Sequence, residues 1–460
     1  MLPGGRTTIW SRATAVFRSD HDLAAALRFL ALPLPGTSDV RVFQEWTRQA
    51  TTGKLTEIYG VGGSPPAPLP TPVDYPPVAV YHLAAVGHVY HDLFPSFPGG
   101  ARLTMAIKLL IMLATALLTA VIWWVVRRDH GVETARLAAA LYWANPAVLL
   151  YEAVLGYLDV LAFLPAVGAI VCAFTGRARM SGALFALACL TKPQGLLVAP
   201  AIIVALTGTS RPAFRQWKAA AVGAVVTTGV VLAPYVMTGA LFNVTDAVWS
   251  LVTYGYMSGN AANVWWLVGY SVDVGRQLER LGLVAFAVPA RIGDLAELFE
   301  LGPRVGGRSL GTLAITAISW VPVLGVVGWA SRRSRGVPGP GILFALTALT
   351  VHAYFVLVVQ VHENHMFLVL PVLAMVAVEC PPYRRLLALL SAVVILNLNF
   401  FEGFGEGIGF ALPRSITFID ATVLLAAANV AAFIWHVRLF RRLCGQAPAP
   451  VPAATSDVCP

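Results

Sequence analysis

An all-α, polytopic membrane helix bundle is the fold class the sequence predicts, and three observations predict it. The 460 residues are 57% hydrophobic and only 12% charged, about half the charged share of a soluble domain. Mean hydropathy is +0.72. Long apolar runs alternate with short, Arg-rich loops. So few charges cannot cover a water-soluble globule of this length, which excludes a soluble enzyme, a coiled coil and a disordered chain. The 40 Gly and 31 Pro fit the same class, because membrane spans tolerate both when neighbouring helices satisfy the backbone. The net charge of +9 is scattered over many loops, which points to loops on one side of a bilayer and to no nucleic-acid partner. The five Cys follow no metal or redox spacing, and Cys172, Cys189 and Cys380 sit in apolar stretches as buried thiols would.

Residues 1–38 predict a poor or truncated first membrane helix: Arg18, Asp20, His21, Asp22 and Arg28 interrupt it, and only Leu23–Leu34 is fairly apolar. No cleavage site follows that short run, so no signal peptide is expected. Residues 39–100 form a first outer loop, 101–238 a set of membrane helices, 239–308 a long outer loop, 309–445 further membrane helices, and 446–460 an Ala/Pro-rich disordered tail. A span needs about 20 apolar residues, so about 11 membrane helices are expected. The runs are 101–126, 134–152, 157–175, 180–207, 217–238, 309–330, 341–360, 366–380, 384–400 and 415–437.

The run 180–207 is interrupted by Thr191-Lys192-Pro193-Gln194. Charge decides how it crosses. Arg127, Arg128, Arg136, Arg177, Arg179, Arg211, Arg215, Lys218, Arg332, Arg333, Arg335, Arg384, Arg385, Arg438, Arg441 and Arg442 all fall on one side if 180–207 is a broken pair of short helices. The alternate short connections then hold only Lys192 and Arg414. A single crossing would invert the pattern halfway, so the positive-inside rule selects the broken pair, and Pro193 supplies the break. Every unusual polar cluster then shares the outer face.

Asp39 follows a membrane exit, and 39–53 reads as an amphipathic interfacial helix with Val42, Phe43 and Trp46 on its apolar side. Asp39 reads as the cap of that helix or as a base at the membrane mouth, and the two roles are compatible. Asp74-Tyr75-Pro76-Pro77 is a rigid turn followed by Tyr81-His82. Asp159 ends Gly156-Tyr157-Leu158-Asp159, and Asn145-Pro146 signals a kink before it. Lys192, with Gln194 beside it, is a cation between apolar half-helices, expensive unless paired or working on an anion. Gln360-Val361-His362-Glu363-Asn364-His365 lies between two apolar helices. His362 and His365, three apart, would share a helical face. Zinc is one reading, but HExxH spacing is absent, and anchoring a phosphate fits better. Trp265-Trp266, after Asn263, read as an aromatic belt or as a platform for a sugar ring.

In this order the clusters resemble the integral-membrane glycosyltransferases of the GT-C fold, and within them the dolichyl-phosphate-glucose glucosyltransferases that extend asparagine-linked glycan precursors. Asp39 stands seven residues before Trp46, as an aspartate does in that family's first outer loop. Asp74-Tyr75-Pro76-Pro77-Val78-Ala79-Val80-Tyr81-His82 is similar to its DYPPLTAYH. Lys192-Pro193-Gln194 matches a Lys-x-Gln, Asn263-Val264-Trp265 an N-(V/I)-W, and Gln360-Val361-His362-Glu363 its QVHEK, with Asn364 in place of the lysine. The resemblance covers about residues 36–380, and the compact Arg-rich loops suggest a prokaryotic relative.

The resemblance implies an inverting transfer of a hexose, glucose or mannose, from a polyprenyl-phosphate donor to a lipid-linked or membrane-associated glycan acceptor on the outer face of a bacterial cytoplasmic membrane. Asp39 would be the general base. Lys192, His362 and His365 would support the departing phosphate. Asp74 and Glu363 would orient sugar hydroxyls or the histidines, and Trp265 would stack on a sugar. Tyr75, Tyr81, His82, Asp159, Gln194 and Asn263 complete the expected substrate site. No metal or other cofactor is required by this scheme. The competing readings are a transporter or flippase of lipid-linked sugars, which the break at Lys192 would suit, and a non-catalytic assembly subunit.

Overall fold

The computed structural model describes residues 22–60, 72–208, 212–253, 255–271, 301–335, 337, 339–416 and 419–445. Residues 1–21, Arg211, 272–300 of the long loop, and the tail 446–460 with Cys459 lie outside the described residues. Among the described residues, five helices are long and apolar enough to cross a membrane: Ala101–Trp143, Ala213–Met237, Leu310–Ser334, Pro381–Glu402 and Ala421–Gly445. Shorter apolar helices, Val160–Phe174, Ala178–Thr191 and Gly341–Leu357 among them, pack between these. The chain is an all-helical, polytopic membrane protein, and its strands are two-residue pairings in loops.

Residues 22–31 are helical. Ala24, Arg28, Ala31 and Leu32 are buried, while Leu23, Leu27, Phe29 and Leu30 face outward, as on a helix with one face in a bundle and one in lipid. The Ser38–Thr52 helix corrects two expectations. It buries Val40, Phe43, Trp46, Thr47 and Ala50 against the Pro77–Leu93 helix, so its inner face is set by Val40 and Val42 stands only half-buried at its edge. Its N-cap is Thr37, which makes no side-chain cap. Asp39 lies inside the first turn, so the capping role falls away.

The long helix Ala101–Trp143 bends at Gly131, where φ is +81°. The expected span 134–152 is not continuous. The helix stops at Trp143, and Asn145 caps the next turn by accepting from the Ala147 N–H. The chain then winds into a π-helical turn, Leu149–Val154. Pro146 forces this break, because it cannot donate to the preceding turn. Asn145 also donates to Ser391 Oγ at 2.8 Å, tying the break to the Pro381–Glu402 helix.

The stretch 180–207 is interrupted at Lys192. Ala178–Thr191 ends at Lys192, whose backbone is extended (φ −155°, ψ 136°), and a 3-10 turn Pro193–Val198 leads into Ala199–Thr207. Ala178–Thr191 packs tightly on Ala213–Met237. A Cβ on Gly182 would lie 1.8 Å from Ala220 O, and one on Gly223 would lie 1.9 Å from Arg179 O. Lipid supplies no hydrophobic drive between helices, so backbone approach at small residues provides the contact. At the far ends, Ser309 caps Leu310–Ser334 by accepting from the Thr312 N–H, and Arg332 and Arg333 sit in its last turn, where the helix dipole favours cations.

Candidate active site

Residues from several of the polar clusters converge on one cavity of about 290 Å³. Several separate stretches of the chain build it. Thr37, Ser38, Asp39, Val42, Phe43 and Trp46 come from the start of the Ser38–Thr52 helix, and Asp74 and Tyr75 from the turn before Pro77–Leu93. Tyr157 and Lys192 come from the two helix breaks. Asn260, His362, Glu363, Asn364, His365, Leu251 and Glu402 close the rest.

The prolines explain the placing of Asp74 and Tyr75: Pro76 is the N-cap and Pro77 the first residue of Pro77–Leu93, so the chain before them is extended. Tyr75 is locked by rings at 5.9 Å (Phe43) and 5.6 Å (Trp46). Its ring stands 5.3 Å from Lys192 Nζ, within cation–π range. Lys192 donates to Asp159 Oδ1 at 2.7 Å, with both side chains buried. Asp159 thus stands behind the cavity wall and holds the lysine that faces it.

The 360–365 segment is not helical. Val361–His362 pairs in parallel with Ser258–Gly259, and Glu363 N–H donates to Gly259 O at 3.0 Å. His362 and His365 still meet, rings 5.3 Å apart, through a turn and not along a helix face. A Cβ on Gly259 would lie 2.7 Å from His362 Nδ1, so only glycine lets the imidazole lie there. Tyr256 OH hydrogen-bonds the other ring nitrogen, Nε2.

His365 can be assigned a tautomer. The His362 backbone N–H donates to His365 Nδ1 at 3.3 Å, so the ring proton sits on Nε2. Gln194 meets Nε2 at 2.9 Å and must therefore present its carbonyl oxygen there. Both ring nitrogens of His365 are then engaged, and His362, its Nε2 held by Tyr256, lines the cavity beside it.

Burial shapes the charges here. It lifts the Asp39 carboxyl above its ordinary value; Lys192 opposes this, and Asp74 and Asp159 add to it. Burial pushes Glu363 up to about 8, although its Oε1 accepts from Tyr157 OH at 3.1 Å. Burial, then the Lys192 charge, pulls His362 down to about 4, and the same causes push His365 well down. Burial thus favours the neutral form of both imidazoles and of Glu363. The positive charge on the cavity wall is that of Lys192.

Several expected residues lie elsewhere. Tyr81 donates to Val231 O at 2.8 Å and stacks on Tyr235, and His82 lies beside it on the same helix. Asn263 is buried and accepts from the Trp266 N–H. Trp265 Nε1 donates to Leu357 O at 2.8 Å, so this tryptophan fastens the loop to the Gly341–Leu357 helix. None of these four lines the cavity. Among the described residues, no three His, Cys, Asp or Glu side chains converge to hold a metal ion, so the zinc reading of His362, Glu363 and His365 finds no ligand set. Glu402 and Tyr256 were not singled out by the sequence. An acid at the end of an apolar run was the available signal for Glu402.

A second cavity, of about 240 Å³, adjoins the first and shares Leu251 and His365 with it. Its other walls include Leu196, Leu197, Trp320, Tyr354, Val358 and Val359, and it is largely apolar.

No protein-family model matches the sequence, and no curated protein matches it. Among solved structures, the chain is similar to ArnT from Cupriavidus metallidurans bound to undecaprenyl phosphate, at 15% identity over 96% of this chain and 74% of that chain, with a TM-score of 0.48. It is also similar to the Archaeoglobus fulgidus oligosaccharyltransferase tethered by a disulfide bond to an acceptor peptide containing the NVT sequon, at 15% identity and a TM-score of 0.41. That match covers 95% of this chain, which spans 56% of the length of the oligosaccharyltransferase chain.

Proposed function

We propose that the protein is an integral-membrane glycosyltransferase of the GT-C type that moves a hexose from a polyprenyl-phosphate donor to a lipid-linked acceptor at the outer face of a bacterial cytoplasmic membrane. One observation carries this reading: a polar cavity lined by Asp39 and Lys192 lies next to an apolar cavity, and the two share Leu251 and His365 in their walls. That arrangement suits an amphiphile whose sugar phosphate meets an isoprenoid chain. The motif resemblance over residues 36–380 names the same class.

In this mechanism Asp39 takes the proton of the acceptor hydroxyl. Its raised basicity at the membrane mouth favours that role. The acceptor oxygen attacks the anomeric carbon from the face opposite the phosphate, and the carbon–phosphate-oxygen bond breaks with its electron pair leaving on the phosphate. The product sugar is inverted. Lys192 stabilises the departing charge, and neutral His362 offers a ring N–H. Glu363 and Asp74 orient sugar hydroxyls. Asp159 keeps Lys192 in place.

The flippase reading draws on the discontinuous helix at Lys192. Incubating membranes that hold the protein with a panel of polyprenyl-phosphate sugars, and resolving lipid-linked products, separates the two. A new glycosylated lipid from one donor supports the transferase. Passage of a labelled lipid-linked sugar across vesicles with no product from any donor supports the flippase.

A further inference from the structure

We propose that Lys108 is a positioning residue for Asp39, acting through the chain segment that delivers it. The inference rests on the reading of Asp39 as the base. Lys108 belongs to the membrane helix Ala101–Trp143 and is 1% exposed. A cation inside a span is costly unless its donors are met. An ammonium has three N–H groups, and here three backbone carbonyls meet them: Val154 O at 2.7 Å, Leu34 O at 2.8 Å and Ala31 O at 3.4 Å. All three stand at helix ends. The helix 22–31 closes at Ala31, Leu34 lies just beyond it, and the π-helical turn closes at Val154. Carbonyls at helix C-termini have no partner within the helix and carry the negative end of the dipole, so two such ends answer one cation without a carboxylate.

The next residues make the connection to the site. Thr37 N–H donates to Leu155 O at 3.0 Å, one residue after the Val154 carbonyl that Lys108 holds. The segment 34–37 is therefore tied at one end to Val154 through Lys108 and at the other end directly to Leu155 O, and Asp39 stands two residues further on. Lys108 itself does not line the polar cavity. Its influence on the reaction passes through the height and direction at which Leu34–Thr37 presents the aspartate.

The test uses the full chain, with the polyprenyl-phosphate sugar that supports transfer, and the variants Lys108→Met, Lys108→Gln, Lys108→Arg, Asp39→Asn and the double variant Lys108→Met/Asp39→Asn. A misplaced base costs up to about 100-fold in rate. Lys108→Met should therefore lower kcat by up to that factor with KM for the donor unchanged, and Lys108→Arg should restore much of the rate. In the Asp39→Asn background, Lys108→Met should cost nothing further, because the group it positions is already inert. Lys108→Gln, which keeps two donors, provides the reading if Lys108→Met does not fold. Wild-type kcat in the folded variant, a loss that adds fully to that of Asp39→Asn, a rise in KM alone, or failure of both neutral variants to fold would overturn the proposal. Normal transfer by Asp39→Asn would remove the base assignment, and the positioning role with it. Loss in Asp39→Asn with none in Lys108→Met would overturn the positioning role alone.

Discussion

Lys192 Nζ lies 2.7 Å from Asp159 Oδ1, with both side chains buried, and the lysine reaches the cavity wall while the aspartate stays behind it. The cation that faces the cavity is thus held from the rear by a carboxylate that does not line the cavity. Breaking a buried pair by removing one partner leaves an uncompensated charge and costs about 3–5 kcal/mol. Asp159→Leu should lower the melting temperature sharply in detergent. Lys192→Met/Asp159→Leu should recover most of that stability and no transfer, because the pair is removed together with the cation that supports the phosphate. A double variant with wild-type turnover would take the phosphate away from Lys192.

Asp39→Asn keeps the size of the side chain and removes its basic lone pair. Thr37 is the N-cap and Asp39 makes no capping bond, so the helix loses no cap. The variant should melt at the wild-type temperature and bind donor, with transfer lower by about 10²–10⁴-fold. Near-normal transfer would make Asp74, on the same cavity, the next candidate base.

His362→Ala should lower turnover by about 10²–10³, the cost of one transition-state donor. Tyr256→Phe should lower it by less, since the ring remains while its Nε2 partner is lost. Donor-binding assays on the same preparations should show little change for Tyr256→Phe. Equal, unaltered turnover in both variants would place the phosphate elsewhere on the wall.

Stability should depend on pH through Glu363. Its acid has an ordinary value of 4.5 and stands at about 8 in the folded chain. The folded state therefore holds the proton more tightly than the unfolded chain. Its stabilising contribution is complete below about 4.5, is lost as pH rises towards about 8, and is constant beyond that. Glu363→Gln should abolish that decline in melting curves taken across the range. His362 runs the other way: with its value pulled from 6.5 to about 4, it costs stability as pH falls through that interval. An unchanged slope in Glu363→Gln would mean that the carboxyl is ionised in the fold.

The large elements were legible because their causes are local or additive. Apolar run length and the side preference of Arg required a break at Lys192, and Pro193 stands where the chain turns extended. Asp39, Asp74, Lys192, His362 and Glu363 were legible as ionisable groups at the ends of apolar runs, and they do share one cavity. Residues further along a helix were not, since each step rotates the side chain by about 100°. Tyr81 and His82 leave the cavity for that reason, although Tyr75 lines it. Lys108 escaped notice because its partners are backbone carbonyls 46 to 77 residues away, which no side-chain motif announces.

Gly259 bears on how such a protein can change over generations. The ring of His362 occupies the space that any larger residue at 259 would need, yet the position lies in a loop, where substitutions are ordinarily well tolerated. An alanine there would force the imidazole to shift while touching no residue of the helical bundle's interior. Mutational drift at this position would be silent to every assay of expression and visible only to an assay of product.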